Sequence, residues 1–363
     1  MKNKRWDVLV VGSGPGGCIA AKVCADAGLS TVLLEKEMLP RDKACSGMIL
    51  GPWAKNLIRE QFGDIPADVL AEPRRYNGIT LHIGREGIVE IPQSAAVAWR
   101  KNLDYWMCRK AMQAGVQVRD ATRAHAIKKD EAGYEVALSK GKGQRKSIYT
   151  RFVVGADGAH SAVRKSIRPD LKACCRPAYR ECYQGDLSIE KDRFHWFFPL
   201  HSPSPRFDVN FKDGFFLVEG GDIRRLGTTI PQILRDYGFP RDLKPLWRDG
   251  CVVPTLHDDL VKGSFLPAGD KILLVGDAAG FLLPFTHEGI GSALKSGMLA
   301  AESIIEALSG KSTADQLYLK KVEGITTFLK RLRLLQQSMG ETAKDGAEAL
   351  AEAMKKFIEE TLI

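Results

Sequence analysis

The first 35 residues constrain the fold of this chain more than any other segment. Residues 6–11 form an apolar run that leads directly into Gly12-Ser-Gly14-Pro-Gly-Gly17, and a second apolar run, 31–34, ends on Glu35. A strand, a glycine turn, a helix and a second strand that ends in an acidic residue are typical of a βαβ unit that binds a dinucleotide.

Each element of this unit has its own task. Gly12 permits the tight turn, Gly14 lets a pyrophosphate approach the backbone, and Gly17 lets the helix pack close to the strand. The N-terminus of the helix offers free N–H groups and partial positive charge to the phosphates. Glu35 is placed to accept hydrogen bonds from ribose hydroxyls. The unit by itself leaves open whether the nucleotide is NAD or FAD.

Composition narrows the class of protein. A chain of 363 residues is long enough for two domains and a helical appendage. No apolar run has the length of a membrane span, and the first strand begins too early for a signal peptide. The eight cysteines show no zinc-site spacing. We therefore expect reduced thiols, no metal site and a cytoplasmic location, with peripheral contact on the inner membrane face as an alternative.

The formal net charge of +9 indicates either an acidic partner or simply a basic, solvated surface. A diphosphate substrate, an anionic membrane face and an acidic electron donor are candidate partners. Nucleic acid is not expected, because the basic residues are spread along the chain without a recognisable binding module.

The middle of the chain changes character. Residues 175–264 are rich in aromatic residues and proline and contain strand-like runs at 193–198, 207–211 and 214–218. This pattern predicts a separate, mostly antiparallel sheet inserted into the nucleotide-binding domain. From residue 291 onward the pattern is mainly helical.

Two later segments repeat one design. Residues 152–164 and 272–280 each combine a buried strand with an acidic turn, Asp157-Gly158 in the first and Gly276-Asp277 in the second, and small residues. Small residues let the backbone approach a flat, phosphate-bearing ligand. Asp277 is placed to accept hydrogen bonds from ribityl hydroxyls.

Together these segments resemble the FAD-dependent oxidoreductases of the aromatic-hydroxylase-like branch of the glutathione-reductase superfamily. Arg100, four residues before Asp104, matches the arginine that helps to bind FAD in that superfamily. The resemblance implies FAD as the cofactor. It implies that FAD is bound by Gly12, Gly14, Gly17, Glu35, Lys36, Arg100, Asp157, Gly158, Gly276, Asp277, Gly289 and Ile290.

Within that superfamily the chain is similar to the geranylgeranyl reductase family, which saturates isolated prenyl C=C bonds with reduced FAD. Gly280 replaces the histidine that is usual in hydroxylases, and Lys43-Ala-Cys45-Ser-Gly47 resembles the family's Lys-x-Cys-Gly-Gly segment. Residues 194–199 resemble its Tyr-x-Trp-x-Phe-Pro strand. The chain departs from the family pattern at Ser46, at Phe194 and at the pair His287-Glu288.

The resemblance implies an α/β fold with three parts. A discontinuous, Rossmann-like FAD domain is expected at 1–75, 99–170 and 265–310. A mostly antiparallel substrate domain is expected at 76–98 and 171–264, and a short C-terminal helical region at 311–363.

Candidate residues for chemistry follow from the same resemblance. Cys45 is either a thiol that shapes the flavin pocket and delivers a proton, or a packing residue. His287 and Glu288 either relay protons beside the isoalloxazine or cap the next helix. Trp196, Phe198 and Pro284 are expected to line an apolar substrate pocket. The electron donor is expected to be NAD(P)H or a reduced carrier protein.

Several alternatives stay open at the level of sequence. An FAD monooxygenase acting on an aromatic or lipophilic compound is one, and a flavin-binding carrier or maturation factor for a lipid or quinone is another. Flavin-dependent halogenases share a related Trp-x-Trp pattern, but no convincing equivalent of their catalytic lysine is present. The apolar stripe at 325–335, flanked by lysines and arginines, either docks on the protein or rests on an anionic membrane.

Overall fold

Two β-sheets organise the chain in the computed structural model, which describes residues 4–84, 87–141, 143, 146–199, 206–342 and 346–361. The predicted domain ranges include a few residues outside these segments. The strands are β1 (Arg5–Val11), β2 (Thr31–Leu34), β3 (Met48–Ile49), β4 (Leu70–Ile83), β5 (Gly87–Ala98), β6 (Gln117–Arg119), β7 (Thr122–Asp130), β8 (Gly133–Lys140), β9 (Lys146–Gly155), β10 (Cys175–Gln184), β11 (Arg193–Phe198), β12 (Phe207–Lys212), β13 (Phe215–Gly220), β14 (Trp247–Pro254), β15 (Ala268–Gly269) and β16 (Ile272–Leu274). The α-helices are α1 (Pro15–Asp26), α2 (Gly51–Phe62), α3 (Arg100–Gln113), α4 (Ala162–Ile167), α5 (Ile223–Leu226), α6 (Thr229–Leu234), α7 (His257–Val261), α8 (Ile290–Ala307), α9 (Ala314–Thr342) and α10 (Ala347–Thr361).

The first sheet has the order β15-β16-β9-β1-β2-β6, and the β7–β8 hairpin extends from β9. Strands β16, β9, β1, β2 and β6 are parallel. Val11 pairs with both Leu34 and Gly155, and Gly155 also pairs with Leu274. The carboxyl ends of four strands therefore meet at one edge, where open α/β sheets bind their ligands. The predicted nucleotide-binding sheet is confirmed.

The second sheet has the order β14-β10-β13-β12-β11-β4-β5-β3. Its pairs are antiparallel except for β4 and β11, which run parallel, so the sheet is mixed. Strand β4 of this sheet begins at Leu70, and β3 at Met48–Ile49 joins the sheet by pairing with β5. The expected boundary between residues 75 and 76 therefore falls inside β4, and the division into domains stays a prediction.

Helices α1 and α8 pack backbone against backbone. An ideal Cβ on Gly297 of α8 would lie 2.3 Å from the carbonyl oxygen of Gly16 in α1. A Cβ on Gly16 would lie 2.8 Å from the carbonyl oxygen of Ala293. Because side chains are excluded at this crossing, the start of α8 is held close to the glycine turn after β1.

The C-terminal helices dock on the protein. Ile325, Leu329 and Leu332 of α9 are buried, and the Tyr318 hydroxyl donates a hydrogen bond to the Leu274 carbonyl at 2.6 Å. The apolar stripe of the sequence therefore packs inward. Among the described residues, no helix combines the length and apolar character that crossing a bilayer requires.

The α1–α8 crossing gives a test of the fold. Gly297→Ala should lower the free energy of unfolding by about 1–3 kcal/mol, because the new methyl overlaps the Gly16 carbonyl and forces the helices apart. The matched control is Gly324→Ala in α9, where a Cβ meets nothing within 4 Å. That change should stabilise the helix by about 0.5–1 kcal/mol. Urea unfolding of both variants measures the difference; equal effects would contradict the close crossing.

Candidate active site

One cavity of about 630 Å³ lies between the carboxyl edge of the first sheet and the inner face of the second. Its nucleotide wall includes Gly14, Gly158 and Gly276, and its opposite wall includes Phe194 and Trp196. The C-terminal helices close one side through residues 328, 358 and 361. The cavity is therefore a single space that joins the predicted cofactor cradle to the predicted substrate pocket.

The glycine turn after β1 is shaped for close backbone approach. Gly12 has a φ of +105°, and a Cβ there would lie 2.3 Å from the Ala156 carbonyl oxygen. A Cβ on Gly17 would lie 1.9 Å from the Gly12 carbonyl oxygen. Gly14 instead borders the cavity and precedes α1 without a side-chain cap. The first N–H groups of α1 therefore face a space that suits a phosphate.

Glu35 is held by the same turn. Ser13 donates to the Glu35 Oε2 atom from its hydroxyl at 2.7 Å and from its N–H at 3.2 Å, and the Arg41 Nε donates at 3.1 Å. Burial opposes the charge, but Arg41 and the hydrogen bonds lower the pKa of Glu35 below its ordinary value. Glu35 is thus an ionised acceptor at the end of β2, whereas the neighbouring Lys36 is exposed to solvent.

Arg41 links Glu35 to a second buried ion pair. Its Nη1 donates to Asp104 at 2.9 Å, and Asp104 also accepts two hydrogen bonds at 2.8 Å from Arg100. Arg100 lines the cavity. Sequence reasoning identified Arg100 but missed Arg41, whose proximity to Asp104 appears only in the folded chain.

The Asp157 side chain forms hydrogen bonds within its own turn. Its carboxylate accepts hydrogen bonds from the Ser161 hydroxyl at 2.5 Å and from the Ala162 N–H at 2.6 Å, so it caps the start of α4. Burial raises the pKa of Asp157 despite these bonds. Gly158, with a φ of +77°, is the part of the pair that borders the cavity. The contact of Asp157 with a cofactor stays a prediction.

The second turn brings Asp277 and the start of α8 to the cavity. Gly276, Asp277, Gly289 and Ile290 all line it. Lys43 Nζ lies 3.3 Å from Asp277 Oδ2, which ties the Cys45 segment to this turn. A Cβ on Gly289 would lie 2.7 Å from Leu282 and 3.4 Å from Asp277 Oδ1. Glycine is therefore required where α8 opens toward the cavity.

This arrangement fits FAD. Two helix N-termini, of α1 and α8, reach one cavity, and both are preceded by glycines that keep the backbone accessible. Helix N-termini are well suited to phosphates and to electron-rich ring edges. Glu35 and Asp277 lie along the same edge of the sheet, and their contacts with hydroxyls of the cofactor stay predictions.

Cys45 lies in a positively charged part of the cavity wall. Its Sγ accepts a hydrogen bond from the Gly47 N–H at 3.4 Å, and its carbonyl oxygen accepts one from Arg180 at 3.0 Å. Arg100 lies beside the thiol. Gly47 has a φ of +67°, and a Cβ there would lie 1.9 Å from the Ala98 carbonyl oxygen. A partly exposed thiol among cations is the setting in which cysteines react.

His287 and Glu288 both line the cavity, with different partners. Glu288 Oε1 accepts a hydrogen bond from the Gly291 N–H at 2.8 Å and so caps α8. Burial raises the pKa of Glu288 to about 7. His287 keeps part of its surface exposed, but desolvation within the cavity, with Arg206 nearby, lowers its pKa to about 4, so its imidazole is neutral near pH 7. Proton transfer through this pair stays a prediction.

An aromatic cluster forms the substrate side. The ring of Trp196 lies 5.6 Å from Phe198, 5.4 Å from Phe285 and 6.1 Å from Phe194, and Phe285 lies 5.2 Å from Phe357 of α10. Trp196 borders the cavity directly. Phe198 packs against Trp196, and Pro284 is buried within its loop. The cluster makes one end of the cavity apolar.

Sequence reasoning missed a set of polar residues on the inner face of the second sheet. Asp208, Asn210 and Lys212 alternate with Phe207, Val209 and Phe211 along β12, and the period of two places the polar residues on one face. Asp208 lines the cavity, as does Glu219 of β13. The alternation was readable in the sequence, but it did not show that the polar face turns inward.

The eight cysteines are free thiols. No group of histidines, cysteines and carboxylates that could hold a metal ion occurs within the described segments.

Comparison with known proteins shows which proteins this chain is similar to. A family model described as an FAD binding domain matches residues 5–175. The chain is 26% identical to a digeranylgeranylglycerophospholipid reductase of Methanosarcina acetivorans, over 97% of this chain and 89% of that protein. It is 28% identical to a geranylgeranyl diphosphate reductase of Rhodobacter capsulatus, over 86% of this chain and 78% of that protein.

Solved structures share the fold. A geranylgeranyl bacteriochlorophyll reductase-like protein of Thermoplasma acidophilum superimposes with a TM-score of 0.77 at 21% identity, covering 93% of this chain and 87% of that one. Aklavinone-11 hydroxylase, solved with FAD, superimposes with a TM-score of 0.68 at 18% identity, covering 93% and 69%. Hydroxylases are thus related in fold. The chain is thus similar to an FAD binding domain over residues 5–175 and to two geranylgeranyl-type reductases over most of its length.

Proposed function

We propose that this enzyme reduces C=C bonds of a prenyl or similarly lipophilic substrate. One observation carries the proposal: the FAD cradle and the aromatic cluster share a single cavity. An apolar chain held against Trp196 would lie next to the cofactor rather than in a separate pocket. The names of the two relatives, which are reductases of prenyl lipids, support the same substrate class.

The residues of the chain bind the cofactor, orient the substrate and exclude water from the cavity. FAD, when bound and reduced, supplies the electrons for the reduction. Gly14 and the start of α1 would hold the pyrophosphate of FAD, and Glu35 would hold its ribose. The paired Arg100 and Asp104 stiffen the wall beside Cys45. Phe285 and Phe357 close the apolar end against solvent.

Three residues are assigned to proton handling and pocket shape. Cys45 orients the substrate or delivers a proton, in keeping with its exposure among cations. Glu288 holds a proton near neutral pH while it caps α8. The neutral imidazole of His287 accepts or passes a proton within the loop.

Electrons reach the cofactor from NAD(P)H or from a reduced carrier protein. The net charge of +9 suits an acidic donor or peripheral contact with an anionic membrane, where the lipid substrate resides.

An anaerobic half-reaction tests the function. The bound FAD is photoreduced under argon and mixed with geranylgeranyl lipids, and we expect its absorbance to return as saturated product forms. Reoxidation by oxygen alone, with a hydroxylated product, would select a monooxygenase instead. Reoxidation by neither, with lipid or quinone still bound, would select a carrier.

Cys45→Ala should leave FAD binding intact and lower turnover by roughly tenfold or more, equivalent to about 1.4 kcal/mol of transition-state stabilisation. The exposed Cys174→Ala is the matched control and should leave turnover unchanged. FAD affinity by fluorescence quenching and the rate of alkene-dependent reoxidation separate binding from chemistry. Unchanged turnover in Cys45→Ala would make Cys45 a packing residue.

The raised pKa of Glu288 should make the stability of the folded protein depend on pH. Its pKa is about 7 in the folded protein and near 4.3 in an unfolded chain, so folding favours the protonated form. The stabilisation is complete below the unfolded pKa and is lost as pH rises through 7. Between roughly pH 5 and pH 8, the free energy of unfolding of Glu288→Gln should therefore rise by about 2 kcal/mol relative to that of wild type. Urea unfolding of FAD-free protein measures this; a pH-independent difference would show that Glu288 is ionised when folded.

A further inference from the structure

A row of opposed side chains crosses the second sheet, and three of them, Trp196, Asp208 and Glu219, line the cavity. The strand register places Trp196 opposite Asp208, Asp208 opposite Glu219, Glu219 opposite Arg180, and Arg180 opposite Asp249. Directly opposed residues of antiparallel strands have Cβ atoms about 5 Å apart. The row therefore runs from an aromatic ring, through two adjacent carboxyl groups, to an arginine and a third carboxylate.

Arg180, the cation of this row, does not form an ion pair with either of the two central carboxyl groups, Asp208 and Glu219. Arg180 donates to Asp249 from Nε at 2.8 Å and from Nη2 at 2.5 Å, and its Nη1 donates to the Cys45 carbonyl oxygen. Glu219 Oε1 accepts a hydrogen bond from Asn210 at 3.2 Å. The Oδ1 atom of Asp208 is buried and has no hydrogen-bond partner.

A buried carboxylate oxygen without a partner is costly, and a neighbouring carboxylate increases that cost. Protonation of Asp208 removes the repulsion from Glu219 and the cost of burying a full negative charge. The groups that act on Asp208 are Glu219 on β13, Asn210 on β12, Arg206 just before β12, and Cys45 on the loop before β3. Burial, with Glu219 adding to it, raises the pKa of Asp208 well above its ordinary value, although Arg206 opposes the rise.

We propose that Asp208 is the catalytic acid that donates a proton to the substrate carbon during C=C reduction. The inference rests on the proposed function. Saturation of a C=C bond adds two electrons and two hydrogens, and reduced FAD provides both electrons with one hydrogen. The second hydrogen arrives as a proton: the Asp208 O–H bond breaks, a C–H bond forms, and the remaining carboxylate is reprotonated from solvent.

The neighbours of Asp208 suit this step. Trp196, directly opposite, lines the cavity beside Asp208, so an apolar chain packed on its ring would lie within reach of the Asp208 carboxyl group. The Arg206 guanidinium lies over the Phe285 ring at 4.8 Å and lowers the energy of the Asp208 carboxylate left behind. Glu288 and His287 lie in the loop before α8, not on β12 beside Trp196, so their proton handling is separate from this step.

Infrared spectroscopy tests the proton itself, independently of turnover. FAD-free and FAD-loaded protein at neutral pH should show a protonated-carboxyl C=O band that shifts in D₂O and is lost in Asp208→Asn. The band should persist in Asp186→Asn, a matched change at an exposed carboxylate. In Glu219→Gln the band should titrate at lower pH than in wild type, because the neighbouring negative charge is gone. Absence of an Asp208 band at neutral pH would overturn the proposal.

The anaerobic half-reaction tests the role. Asp208→Asn should bind FAD and be reoxidised by oxygen as wild type is, while alkene-dependent reoxidation should fall by about 10²-fold or more. Normal alkene-dependent rates in Asp208→Asn would overturn the acid while leaving the reductase function intact. Failure of wild-type protein with every prenyl lipid would instead overturn the proposed function, and the role of Asp208 with it.

Discussion

The structure depends on close backbone contact at the carboxyl edge of the parallel sheet. Gly12 meets Ala156, Gly17 meets the Gly12 carbonyl, and Gly16 meets Gly297, all at distances that exclude a side chain. The first and third of these contacts join segments that are more than 140 residues apart in sequence. They place the starts of α1 and α8 at one cavity, so the electrostatics of both helix ends act on the same cofactor.

Buried carboxyl groups are ionised on one side of the cavity and favour the neutral form on the other. On the nucleotide wall, Glu35 and Asp104 are buried with Arg41 and Arg100, and the ion pairs keep both carboxylates ionised. On the substrate wall, Asp208 lacks such a partner, and burial favours its neutral form. An ionised wall suits a cofactor that needs fixed acceptors. A neutral acid beside aromatic rings suits an apolar substrate that needs one proton.

Motif reasoning was most successful where chemistry depends on backbone shape. The turns at Gly12, Gly158 and Gly276 need small residues or positive φ, and such requirements are visible as sequence patterns. It was less informative about side chains with two compatible roles. Asp157 and Glu288 both cap helices in the folded chain, and no local pattern distinguishes a capping carboxylate from one that contacts a ligand. Arg41 was missed because its partner, Asp104, is 63 residues away.

The sequence by itself determined the parallel nucleotide-binding sheet, its glycine turns and the cofactor class, because these depend on local periodicity and on residues that permit unusual backbone conformations. It also predicted the aromatic strand that contains Trp196. Tertiary structure decided what faces that strand. The pairing of β11, β12, β13 and β10 aligns Trp196, Asp208, Glu219 and Arg180 in one row, and this register sets Asp208 beside the carboxyl group of Glu219 while Arg180 is paired with Asp249. Burial and cross-strand proximity set the charge of a carboxyl group, and neither quantity is encoded by its neighbours in sequence.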